Sequence, residues 1–137
     1  MTTMAKPFAV DTNVLIYLHD NSAPEKRAIA KGLLADIPKI PSQVISEYIN
    51  TCRRLLKLDK VELLEQTAAL LDSCPIVPVL PDTLQHAAGL AKRYQFQLFD
   101  SIIVAACIEG GCEILYSEDM QHKLTVDKSL TIINPFL

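Results

Sequence analysis

The sequence has no tryptophan and four glycines, and none of its stretches is rich in Gly, Pro, Ser or charge of one sign. With 50% of the 137 residues hydrophobic, this excludes disorder and linkers and leaves one domain over residues 1–137 with a core of its own. No apolar run approaches the roughly 20 residues of a membrane span. The start, Met1 to Pro7, has a single Lys and no apolar h-region, so no secretory leader and a cytoplasmic location are expected. Cysteine is sparse. Cys52, Cys74, Cys107 and Cys112 contain no C-x-x-C, and only 107 and 112 lie close, which favours buried free thiols over zinc or a disulfide. Basic charge does not dominate either: 13 Lys and Arg against 16 Asp and Glu give a net charge of −3. That excludes a grip on nucleic acid by bulk positive charge alone, though not a nuclease whose metal ions bring positive charge to the site.

What is present alternates between strand and helix. Short apolar runs predict strands at 8–10, between Pro38 and Pro41, at 76–80, 113–116 and 130–133, with Pro78 demoting the third to an edge. Helices are expected over 14–18, from a capping box Ser22-x-x-Glu25 to about 34, over 42–58, 60–73, 82–94 with Gln85 in a weaker capping pattern, and 100–109. The third of these carries an apolar stripe of Ile45, Tyr48, Ile49, Cys52, Leu55 and Leu56, and the last is apolar almost all round and closed by Gly110 and Gly111. Strands alternating with helices predict a parallel sheet covered on both faces.

In such sheets ligands bind beyond the carboxyl ends of the strands. Asp11 follows the first strand, Asp119 follows the fourth, Asp100 opens the helix before the fourth, and Glu47 lies early in the helix after the second. Each has a bland explanation: the three Asp as helix N-caps, Glu47 as a solvated helix residue. Yet Glu47 has Asn50 and Thr51, not Lys or Arg, at i+3 and i+4, and Asp100 sits among Phe96, Leu98, Phe99, Ile103 and Val104, where an uncompensated carboxylate is costly. Carboxylates gathered at one rim are compensated by a hard cation such as Mg²⁺ or Mn²⁺, and such centres do phosphoryl chemistry. Asn13 and Ser117 stand where they would orient a water or a ligand. Arg53 and Arg54, two turns beyond Glu47, and His122 are candidates for contact with a substrate phosphate, with a solvated surface as the plainer reading of each.

The segments Val10-Asp11-Thr12-Asn13-Val14-Leu15, Glu47 in its early helix, Phe99-Asp100-Ser101-Ile102-Ile103-Val104-Ala105-Ala106, Ile114-Leu115-Tyr116-Ser117-Glu118-Asp119-Met120 and Ile133-Asn134-Pro135-Phe136, in that order, resemble the PIN-domain family, most of all the VapC-type ribonuclease toxins of type II toxin-antitoxin systems. The resemblance implies a five-stranded parallel sheet of order 3-2-1-4-5 with helices on both faces. It also implies a Mg²⁺- or Mn²⁺-dependent endoribonuclease with Asp11, Glu47, Asp100 and Asp119 as catalytic and metal-site acids, a small cognate antitoxin, and a homodimer. One position departs from it: Lys123 stands where relatives are expected to have Gly. Alternatives in the same frame are a housekeeping PIN nuclease and an inactive PIN-like RNA-binding or assembly module, though the latter normally loses an acid. A phosphoacceptor receiver domain would need a Lys after the last strand, where Asn134-Pro135-Phe136 stands. A haloacid-dehalogenase-type phosphatase would need an acid at position 13, which is Asn.

Overall fold

The computed structural model describes residues 6–137; the leader reading of the first residues falls largely outside them. The first strand, β1 (Phe8–Val10), runs parallel to β4 (Ile114–Tyr116), and β4 runs parallel to β6 (Leu130–Ile133). Along β1, successive side chains point to opposite faces, and Ala9 and Val10 are both buried, so both faces of this strand are covered. Leu115 and Ile132 continue the core across β4 and β6.

The sheet differs from the expected five parallel strands in one continuous order. It has four strands in the order β1-β4-β6-β5, where β5 (Thr125–Val126) is antiparallel to β6. The second and third strands, β2 (Ile40–Pro41) and β3 (Ile76–Val77), form a separate parallel pair. A single parallel bridge, Ala9 to Lys39, and the Lys39 N–H donated to the Phe8 carbonyl at 2.9 Å join that pair to β1. Proline accounts for the break. Pro41 has no N–H to extend β2, and Pro78 stops β3 after two residues, leaving the Val79 N–H to donate to Ser42 Oγ at 3.1 Å.

Among the described residues, six α-helices fill the connections: α1 (Thr12–Ile16), prolonged by a 3₁₀ turn, α2 (Pro24–Ala35), α3 (Ser42–Leu56), α4 (Lys60–Leu71), α5 (Pro81–Tyr94) and α6 (Leu98–Glu109). The capping box at Ser22 does not form. Ser22 turns both its N–H and its hydroxyl onto the Asp20 carboxylate, and Ala23 precedes α2 without a side-chain cap. At α5 it is Thr83, rather than Gln85, that serves the start, its Oγ1 accepting the Leu80 N–H at 3.1 Å. In α3, Val44, Tyr48 and Cys52 carry the buried stripe while Leu55 is 62% exposed.

The core helix α6 ends as its glycines predict. Cys112 N–H donates to the Cys107 carbonyl (2.9 Å) and Gly111 N–H to that of Ile108 (3.0 Å), with Gly111 at φ +76°. This is a Schellman ending, and its usual apolar contact is made here by the buried thiols of Cys107 and Cys112. All four cysteines are buried free thiols. Among the described residues, no helix is long and apolar enough to cross a membrane.

Candidate active site

Asp11 leaves the end of β1 and is 4% exposed. It doubles as the N-cap of α1: one carboxylate oxygen accepts the Thr12 N–H at 2.7 Å. The other accepts the hydroxyl of fully buried Ser117 at 2.8 Å, just past the end of β4. Ser117 Oγ in turn accepts the N–H groups of Asp119 and Met120 at 3.3 and 3.4 Å, so one hydroxyl ties the turn after β4 to the carboxylate after β1. Asn13 completes the link. Its Nδ2 donates to Asp119 (3.1 Å) and Asp11 (3.4 Å), and its Oδ1 accepts the Glu118 N–H (3.2 Å). Both residues thus bond to the acids themselves, where the sequence led us to expect them on a water or a ligand.

The other two acids approach from helices. Thr12 Oγ1 donates to Glu47 Oε2 at 2.7 Å, holding α3 to the start of α1. Asp100 is the third residue of α6, whose N-cap position is Gln97, so the cap reading of Asp100 fails; so does that of Asp119, which no helix follows. The carboxylates feel one another. Burial pushes the Asp11 carboxyl up to about 6, with the charges of Asp100 and Glu47 adding to the effect against the bonds from Ser117 and Thr12. Asp100 is raised by its burial, then by Glu47 and Asp119. Among the described residues, however, no three acidic, His or Cys side chains close on a common point as direct ligands of one ion.

Two features were not visible in the sequence. Thr12 and Glu47 are 35 positions apart, and nothing local marks their bond. Glu118, beside Asp119, turns away from the acids. It accepts from Lys26 Nζ (2.7 Å) and the Tyr17 hydroxyl (2.6 Å), and the Lys26 bond holds its carboxyl below the usual range. Of the candidates for RNA contact, Arg53 donates to Asn50 Oδ1 (2.8 Å), Arg54 is exposed on α3, and His122 Nδ1 accepts the Asn134 N–H (2.9 Å). His122 thereby fastens the C-terminal segment, and Lys123 beside it has φ +69°, the left-handed backbone that favours glycine.

The mostly parallel sheet thus carries mutually interacting carboxylates beyond the carboxyl ends of its strands, where ligands bind in open α/β sheets. The sequence profile of the PIN domain matches residues 8–127, and the chain belongs to that family. Among solved structures, a toxin-antitoxin complex from Klebsiella pneumoniae superposes with a TM-score of 0.69 at 21% identity, covering 94% of this chain and 97% of its own. Mycobacterium tuberculosis VapC20, a sarcin-ricin loop cleaving toxin, matches at 0.64 and 19% over 82% and 89% of the two chains. VapBC2 of Rickettsia felis, bound to a promoter DNA fragment, matches at 0.64 and 17% over 91% and 96%. At these identities the likeness is one of fold. Comparison with curated proteins finds no match.

Proposed function

We propose that the protein is an endoribonuclease that hydrolyses RNA phosphodiester bonds with Mg²⁺ or Mn²⁺, and that it is the toxin of a type II toxin-antitoxin pair. The observation that carries this reading is the buried Asp11, held at the strand end by two hydrogen bonds and pushed up to about 6 amid the charges of Asp100 and Glu47. Crowded carboxylates cost a fold stability unless a cation relieves them. All the donors are hard carboxylate oxygens, and Mg²⁺ commonly takes only one or two carboxylates directly and keeps waters for the rest, so a loose set fits it. Asp11, Glu47, Asp100 and Asp119 would hold the ion, which supplies charge neutralisation at the phosphate and an activated water.

The chain's own groups do the positioning. Ser117 and the Thr12 N–H fix the Asp11 carboxylate, Asn13 aligns Asp119 with it, and Thr12 Oγ1 fixes Glu47. Arg53 and Arg54 on α3 and the second ring nitrogen of His122 are the proposed RNA contacts. The toxin reading is supported by the neighbouring folds, which include toxin-antitoxin complexes. It also accords with apolar side chains left uncovered on α3 and α4, Leu55, Val61 and Leu64, which suit a homodimer or a small antitoxin. The test is incubation of labelled single-stranded RNA with Mn²⁺ and with EDTA. Cleavage confined to the metal-containing reaction is expected, and equal cleavage in both would sink the metal mechanism.

A further inference from the structure

A cavity of about 230 Å³ adjoins the acids, with Asp100 and Asp119 in its wall. Its other walls come from the end of α5 and the connection into α6, bearing Tyr94, Gln95, Phe96 and Gln97, and from Gln121 in the loop after β4. It is smaller than the roughly 300–1,000 Å³ of pockets that take whole small-molecule ligands, so it suits a fragment about the size of one heterocycle. Its lining includes no Lys or Arg, and its two charged groups are carboxylates. A phosphate is therefore excluded as occupant, and a neutral group with a polar edge is favoured.

Besides the two carboxylates, three of its lining residues are glutamines. Gln95, Gln97 and Gln121, all exposed, each present a carboxamide that carries both donors and an acceptor, and among the described residues none of the three amides bonds to another group of the chain. Beside them, Phe96 stacks on Tyr94 with centroids 5.6 Å apart and planes 28° from parallel, a platform of the sort on which unpaired bases lie. The cavity is also braced. Arg93 grips Asp127 with two bonds of 2.9 and 2.7 Å, and the Tyr94 hydroxyl accepts the Asp127 N–H at 2.9 Å, which locks the β5–β6 hairpin to the end of α5. Gln95 itself holds φ +58°, a conformation Gly or Asn would adopt with less strain.

We propose that this cavity is a subsite for one unpaired nucleobase of the RNA, next to the phosphate that is cut, read by the carboxamides of Gln95, Gln97 and Gln121 over the ring of Phe96. The proposal rests on the ribonuclease reading, and its test separates the two. A randomised single-stranded oligoribonucleotide pool is cut with Mn²⁺ and the new ends are sequenced, for the wild type and for Gln97→Ala, Gln121→Ala and Phe96→Leu. The wild type is expected to prefer one base beside the cut by about tenfold, the scale of one well-made base-edge pair. In the Gln variants kcat/KM for the preferred base falls toward that for the others, flattening the ratio, and in Phe96→Leu the loss falls on KM rather than kcat. A second arm measures binding of four short homo-oligoribonucleotides in EDTA, where the same variants lose the discrimination of the wild type. A wild type that cuts RNA with a preference unchanged in all three variants overturns the subsite and leaves the ribonuclease standing. If no RNA is cut, the ribonuclease reading falls, and discrimination in the binding arm, kept or lost in the variants, still decides the subsite.

Discussion

Asp11 concentrates the conflict on which the site is built. Its carboxyl, ordinarily ionised from about pH 4 upward, stays protonated in the fold until about pH 6. Because the folded value is the higher one, the native state binds more protons than the unfolded chain between pH 4 and 6. Metal-free stability therefore falls as pH rises through that window and stays reduced above it, by an amount of order 3 kcal/mol. Asp11→Asn removes the charge and keeps an oxygen for the Thr12 N–H. Melts in EDTA should show the variant more stable than the wild type at pH 7.5, by up to about 3 kcal/mol, with the difference gone near pH 4. A pH-independent difference would contradict the charge argument. Lys123 offers a separate test. The resemblance alone led to the expectation of a glycine at that position; the structure shows there a left-handed backbone, φ +69°, which glycine adopts with less strain, and Lys123→Gly should raise stability by about 1 kcal/mol in denaturant unfolding.

At the level of elements, what could be read in the sequence was what local chemistry decides, and what could not was what neighbours decide. The end of α6 was legible because Gly110-Gly111 after an apolar helix leaves one reasonable ending. Gly110 has a tertiary reason as well, since a Cβ there would stand 2.7 Å from Val77 Cγ2 and 3.2 Å from the Ala106 carbonyl. Gly110→Ala should accordingly destabilise the protein by about 1–3 kcal/mol in thermal or denaturant melts, by forcing β3 away from α6. The capping box at Ser22 was misleading because Asp20, two residues earlier, competes for the same hydroxyl. Strand β5 escaped notice because it has two residues and its turn, Asp127-Lys128 with both φ positive, uses neither Gly nor Asn. The turn is held instead by Arg93 and Tyr94 from more than 30 positions away. The start of α6 was placed two residues late, which made Asp100 look like a cap.

For the whole molecule, the nearness of the four acids was legible because one rule, that ligands of α/β sheets bind at the carboxyl ends of their strands, selects the same rim from four distant segments. Their supports were not: Thr12 on Glu47 and Ser117 on Asp11 are tertiary bonds that no spacing encodes, as is the Lys26 bond that draws Glu118 away from them. The charge of −3 has a consequence for substrate choice. Duplex DNA, which demands many phosphate contacts along a rigid rod, should be cut far more slowly than single-stranded RNA of equal length, and the gap should widen with salt. The most direct test of the central claim, that the four acids form a cation-dependent RNA-cleaving centre, is cleavage of labelled single-stranded RNA by the wild type and by Asp100→Asn, each with Mn²⁺ and with EDTA, alongside melts of both proteins in the same buffers. The account expects cleavage by the wild type with Mn²⁺ alone, and a variant that is folded, more stable without metal, less stabilised by Mn²⁺ and inactive. An active Asp100→Asn protein with an unchanged metal-induced shift would contradict it.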